Sequence, residues 1–208
     1  MNEFSWIFLI ALALMTGIEI WLSLRQRRHV LANRDEVPAA FREQIGLAAH
    51  QKAADYTAAK GAQMRRESLF GAVVLILWTL GGGLALLSGA WESLGWSAMT
   101  TGVVLILSFL LIGSILELPL SWYRTFVMEE KFGFNRNTPA LFMGDFAKQL
   151  LLMLVLGAPI AWVTLWLMNS TGDFWWLYLW AAWMVFAVVM MGAYPAFIAP
   201  LFNKFTPL

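Results

Sequence analysis

The sequence contains no cysteine, which excludes disulfides and thiolate metal sites. It has two histidines, His29 and His50, too few for a metal site made of imidazoles alone. Charge is also scarce: 13% of residues are charged, against about 25% in soluble domains. A net charge of +1 offers no basic excess, and no nucleic-acid partner is expected. What is abundant is apolar. Hydrophobic residues make up 60% of the chain, against about 45–50% in soluble domains. Twelve Trp and 15 Phe exclude disorder. A soluble core of 208 residues could not hide that much apolar surface. The expected class is all-α, a polytopic membrane protein with the lipid bilayer as its first partner.

A hydrocarbon core of about 30 Å needs about 20 apolar residues as a helix. Five stretches meet this: 4–24, 69–88, 98–118, 150–168 and 174–194. Period-two alternation is absent, so a β-barrel is not supported. The first stretch reads as an anchor rather than a signal peptide. Met1, Asn2 and Glu3 give it no basic n-region, no small-residue cleavage site ends it, and Arg25, Arg27 and Arg28 follow it. The chain is expected to form a single membrane domain, 1–208, with cytoplasmic loops 25–68 and 119–149.

The distribution of charge sets the expected orientation. Nine Lys/Arg lie in 25–68, four more (Arg124, Lys131, Arg136 and Lys148) in 119–149, and Lys204 in the tail. The segments holding Glu92 and Asp173 have none. All 14 basic residues therefore share one side of a model with the N-terminus outside and the C-terminus in the cytoplasm. Trp91, Trp96, Trp175 and Trp176 fall at the outer boundary, as an aromatic belt would.

The first loop is expected to be largely helical. Pro38 suits a first turn, and residues 47–66 are rich in Ala, Gln, Lys and Arg. Lys52, Tyr56 and Lys60 share one helix face, which either is solvated or packs on another domain or on anionic lipid. In the second loop Pro119 should end or bend the third helix, and Asn137 or Thr138 can cap a new one with Pro139 in its first turn. Gly81, Gly82 and Gly83 suit close helix packing or a discontinuous helix, and Pro159 a kink. Glu19 and Glu117 are the ionisable residues assigned to spans; they are candidates for helix pairing or for lining a wet cavity.

Four blocks in order resemble the N-terminal membrane region of the type 1 CAAX prenyl proteases. They are residues 24–26, then Lys52-Ala53 with Tyr56, then Thr125 to Asn135, then Tyr194-Pro195 through Pro200-Leu201-Phe202-Asn203-Lys204-Phe205. The resemblance implies five spans preceding a cytoplasm-facing zinc metalloprotease domain with an HExxH motif, the two parts enclosing a chamber in the membrane. It implies hydrolysis of prenylated CAAX proteins, or of membrane proteins, as the activity. It also implies zinc as the full-length cofactor and a bacterial inner membrane as the location, or the ER membrane in a eukaryote.

HExxH is absent here, since neither His29 nor His50 has a partner at i+4. The chain is expected to hold no catalytic residue, metal ligand or cofactor of its own, and to be inactive alone. It reads as part of a longer protein or as a short gene product. The block Phe126, Glu129, Glu130, Phe132, Gly133, Phe134 and Asn135 is expected to dock the missing catalytic domain, because its rings suit an interface rather than water. The rings could instead lie in the headgroup layer. Other intramembrane chemistries do not fit. No span holds a His for a Ser–His dyad or an Asp for an aspartyl pair, and Phe134 stands where a type 2 CAAX protease needs Arg after Glu129-Glu130. The alternatives are a non-enzymatic binding module for lipidated proteins and, last, a small transporter.

Overall fold

In the computed structural model the described residues are 2–202; Met1 and the Asn203-Lys204-Phe205 end of the fourth block lie outside them. Among the described residues the structure is all helix and turn. Helix α1 is Glu3–Ala32, α2 Leu47–Thr79, α3 Gly83–Glu92, α4 Ala98–Tyr123, α5 Pro139–Ser170, α6 Trp175–Ala193 and α7 Ala199–Phe202. Four helical stretches are long and apolar enough to cross a membrane, and α2 with α3 makes a fifth if the broken pair is one span. The chain is a multi-pass integral membrane protein. Exposure of its apolar faces follows: lipid, not water, is their solvent, and only the backbone must be satisfied internally.

Local chemistry explains the helix ends. Asn2 caps α1, its Oδ1 accepting from Ser5 N at 2.9 Å. Thr138 caps α5 in the same way, with Pro139 at the first position. α2 starts in the polar segment and runs on into the second apolar stretch as one helix.

At two places the structure narrows the alternatives. Pro119 does not end the third span; the helix continues through it to Glu129, turning π-helical over Arg124–Glu129. The glycine run is a chain break rather than a packing surface. Gly81 N donates to Ile76 O at 2.8 Å, and Gly82 takes φ +77°, closing α2 before α3 begins.

The chain divides into two compact units, Met1–Ala85 with Leu116–Arg136, and Leu86–Ile115 with Asn137–Leu208. In the first, α1 lies antiparallel to α2. Ser23 Oγ donates to the Gly61 carbonyl at 3.1 Å, and Ser68 Oγ to Glu19 at 2.6 Å. In the second, Trp91 donates to Ser108 Oγ at 2.9 Å and stacks on Trp96, so one expected belt residue serves inside the unit. α5 continues through Pro159, which lines an apolar cavity of about 350 Å³ against α6. Lys148 holds the Leu201 carbonyl at 2.9 Å, tying α5 to α7.

Replacing Gly82 by Ala should destabilise the chain by about 1–2 kcal/mol, because a Cβ is strained at φ +77°. Gly89→Ala, in helix α3 with open space around it, should leave stability unchanged or slightly raised. Unfolding in detergent micelles measures both; equal effects would contradict the assigned turn.

Candidate functional site: the α2–α4 clasp

Most of the described buried residues lie outside the apolar stretches. Gln63 on α2 lines one cavity with Thr125 and Met128, just beyond α4, and Phe132 packs on Tyr56 of α2; Gln63, Thr125, Met128 and Phe132 are all at most 8% exposed. This small core belongs wholly to the first unit. It brings together the second and third blocks of the resemblance, which are separated by some seventy residues in sequence.

The turn that ends α4 accounts for the meeting. Phe134 N donates to Glu129 O at 3.0 Å and Gly133 N to Glu130 O at 3.0 Å, the bond pair of a Schellman motif. Gly133 supplies the left-handed residue, at φ +73°. With the chain reversed there, Phe132 and Phe134 both reach Tyr56. Their ring centroids lie 5.2 and 4.8 Å from its own, edge-on in each case. Lys52 Nζ sits 5.1 Å above the Phe134 ring. The Lys52–Tyr56 face of α2 is therefore used by the chain itself.

The candidate docking residues differ in their surroundings. Phe132 is 8% exposed, an internal ring rather than an open one, because the turn folds it onto Tyr56. Phe134 is 51% exposed. Phe126 is half-buried and packs on Trp122, with centroids 4.3 Å apart. Glu130 is exposed and accepts from Asn135 Nδ2 at 2.9 Å. Glu129 points elsewhere, into a polar cavity of about 460 Å³ that it lines with Lys60, Gln63, Glu67, Arg124 and Thr125. Gln63 Nε2 donates to Glu67 at 3.1 Å, and Arg124 stands 3.9 Å from the same carboxylate. Sequence reasoning missed this cavity. Its residues are spread over two helices, and the signal was only that polar side chains recur at helical spacing on α2.

Glu19 is exposed in the isolated chain, accepts from Ser68, and borders a niche between α1 and α2. Glu117 is exposed on α4 and has no hydrogen-bond or ion-pair partner among the described residues. The two carboxylates do not share a site.

A polar latch lies beside the clasp. Arg34, just beyond α1, grips Asp55 of α2 side-on, with Nε–Oδ1 2.8 Å and Nη2–Oδ2 2.9 Å. The Arg34 hydrogen bond holds the Asp55 carboxyl below its ordinary range, with the Arg34 charge and then that of Lys131 adding to it. Gln51 and His50 tie down the same connection, bonding Asp35 and the Asn33 carbonyl at 2.9 Å each.

Zinc does not fit these residues. His29 and His50 lie on different helices, and no group of three or more metal-ligating side chains is present among the described residues.

Comparison with known proteins places this architecture. Residues 26–204 match the family model described as CAAX prenyl protease N-terminal, five membrane helices. The CAAX prenyl protease 1 homolog of Mus musculus is 31% identical over 91% of this chain and 41% of its own length. That of Arabidopsis thaliana is 45% identical over 94 residues, 45% of this chain and 22% of its own. The crystal structure of S. mikatae Ste24p superposes with a TM-score of 0.92 at 25% identity, covering all of this chain and 50% of that one. The chain thus spans half or less of the length of these proteins.

A depressed Asp55 stabilises the fold above its unfolded value of about 3.9, and that contribution is lost as pH falls through the lower folded value. Between pH 7 and 5 the latch should therefore leave stability flat. Below about pH 4 stability should fall, and Asp55→Asn should reduce that acid limb. Melting curves of both chains across pH measure it; an identical acid limb in Asp55→Asn would refute the latch.

Proposed function

The chain belongs to the CAAX prenyl protease family, in its N-terminal membrane region, and on that premise we propose that it forms chamber wall and substrate path for a zinc endopeptidase of that type. The observation that carries the proposal is the clasp: two blocks of the resemblance, Lys52/Tyr56 and the segment 125–135, assemble beside a polar cavity at the end of a membrane helix. The zinc and its HExxH motif would come from sequence outside these 208 residues. The substrates would be prenylated or other membrane proteins, and this chain alone would not cleave them.

In this reading the catalytic domain docks on the rim of the clasp. Phe134, Glu130, Asn135 and half-buried Phe126 are the available groups, whereas Phe132 supports the turn from inside. Glu19 and Glu117 would face protein or water, not acyl chains. Two substitutions separate docking from folding. Phe132→Ala should destabilise the 208-residue chain by about 3 kcal/mol, as for other buried rings. Phe134→Ala should cost the isolated chain less than about 1 kcal/mol, yet lower cleavage of a prenylated peptide several-fold in a protein that carries the zinc domain. Full activity of that Phe134→Ala enzyme would overturn docking at this ring.

The proposed orientation has the N-terminus outside and the loops of Arg34 and Arg136 in the cytoplasm, with Glu92 and Asp173 outside. The native chain has no cysteine, so a single Asn33→Cys reports cleanly. An impermeant maleimide should label it only after the cells are opened; labelling of sealed cells would invert the orientation.

A further inference from the structure

The niche between α1 and α2 is distinct from the clasp. It encloses about 290 Å³ and is lined by Glu19, Ile20, Leu22, Gln26, Met64 and Arg65, with Ser23 at its edge. Arg65 is half-buried there. Its Nη1 donates to Ser23 Oγ at 2.9 Å and to the Gly61 carbonyl at 3.1 Å. One nitrogen thus fixes the guanidinium to both helices. Nε and Nη2, the edge that grips phosphate side-on, have no partner among the described residues. Glu19 lines the same niche but forms no ion pair with Arg65, and its carboxylate accepts from Ser68 instead.

Depth in the membrane adds a second constraint. The apolar run of α1 ends at Leu24, so the niche lies within the last turns before water, at headgroup level. Arg25 covers Trp21 at 5.6 Å, a pairing suited to that layer, and exposed Arg27 and Arg28 follow. The water-side end of the niche is therefore cationic, whereas the deeper end carries Ile20 and Leu22 together with the Glu19 carboxylate, which Ser68 hydrogen-bonds.

We propose that this niche binds the phosphate of an anionic phospholipid. The phosphate sits on the free edge of Arg65 beside Gln26, away from Glu19. An acyl chain lies along Ile20, Leu22 and Met64, with the Glu19 carboxylate turned to its Ser68 donor on α2. A free phosphate ion shares the headgroup chemistry but lacks the chain, so it gains nothing from the apolar wall. The surrounding arginines raise the local concentration of anionic lipid, a contribution that salt screens.

The full chain in a neutral detergent, titrated with dioctanoyl phosphatidylglycerol, tests this by thermophoresis. Binding should saturate. Arg65→Gln should weaken it at least tenfold, whereas Arg42→Gln, an exposed arginine outside the niche, should change it less than twofold. Dioctanoyl phosphatidylcholine should bind at least tenfold more weakly, and sodium phosphate at equal concentration should not compete. If Arg65→Gln does not fold, Gln26→Glu replaces it, since it keeps the Arg65 anchors and puts a carboxylate at the free edge; it too should weaken binding tenfold. Unchanged affinity in a folded Arg65→Gln or Gln26→Glu chain overturns the site. Equal binding of phosphatidylcholine overturns the charge requirement, and competition by sodium phosphate makes the ligand a free anion and overturns the lipid.

Discussion

A backbone N–H inside hydrocarbon has no water to turn to, and that constraint governs this molecule. It makes each apolar stretch a helix. Past its apolar part, α4 runs on through Pro119 to a π-helical turn at Arg124–Glu129. Where the chain does reverse, it uses a motif that re-pairs the freed groups. Gly133 closes α4 with both Schellman bonds, and Gly82 closes α2 with a bond from Gly81 back to Ile76. The helices can then leave their side chains open to lipid, which explains why large residues such as Val188 and Met191 are exposed without penalty.

Close packing appears where the solvent changes from lipid to water. Beyond the apolar part of α4, Phe132 and Met128 are buried against α2 as they would be in a small soluble domain. The hydrophobic effect operates at that level, and there it gathers the rings of Tyr56, Phe132 and Phe134. The neighbouring cavity remains polar because Gln63, Glu67 and Arg124 satisfy one another around it. The family match covers residues 26–204 and so includes both this water-side core and the lipid-side helices.

Among the described residues, the two π-helical turns fall on the two longest blocks of the resemblance, at Arg124–Glu129 and Tyr194–Ile198. Such turns shift the side-chain register by one residue and are weaker than α-helix, so they persist where the shifted register is used. In the first, the shift coincides with Thr125 and Met128 facing α2, buried in the clasp. In the second, the chain goes on to α7, whose Leu201 carbonyl is held by Lys148. Proline at 195 was a visible hint of irregularity there; nothing in the residues around 126 indicated it.

Apolar run length alone determined that the chain is helical and crosses a membrane several times, since about 20 residues of hydrocarbon-soluble helix admit no other structure. Capping was legible for the same local reason: Thr138 and Pro139 act within one turn of themselves. Contacts between distant residues were not legible. That Tyr56 receives Phe132 and Phe134 and that Arg65 is pinned by Ser23 with one edge free depend on which helix lies alongside. Periodicity specifies a face but not its neighbour. Only the tertiary structure decided those pairings, because each is fixed by side chains that meet across separate helices and by no property of either segment alone.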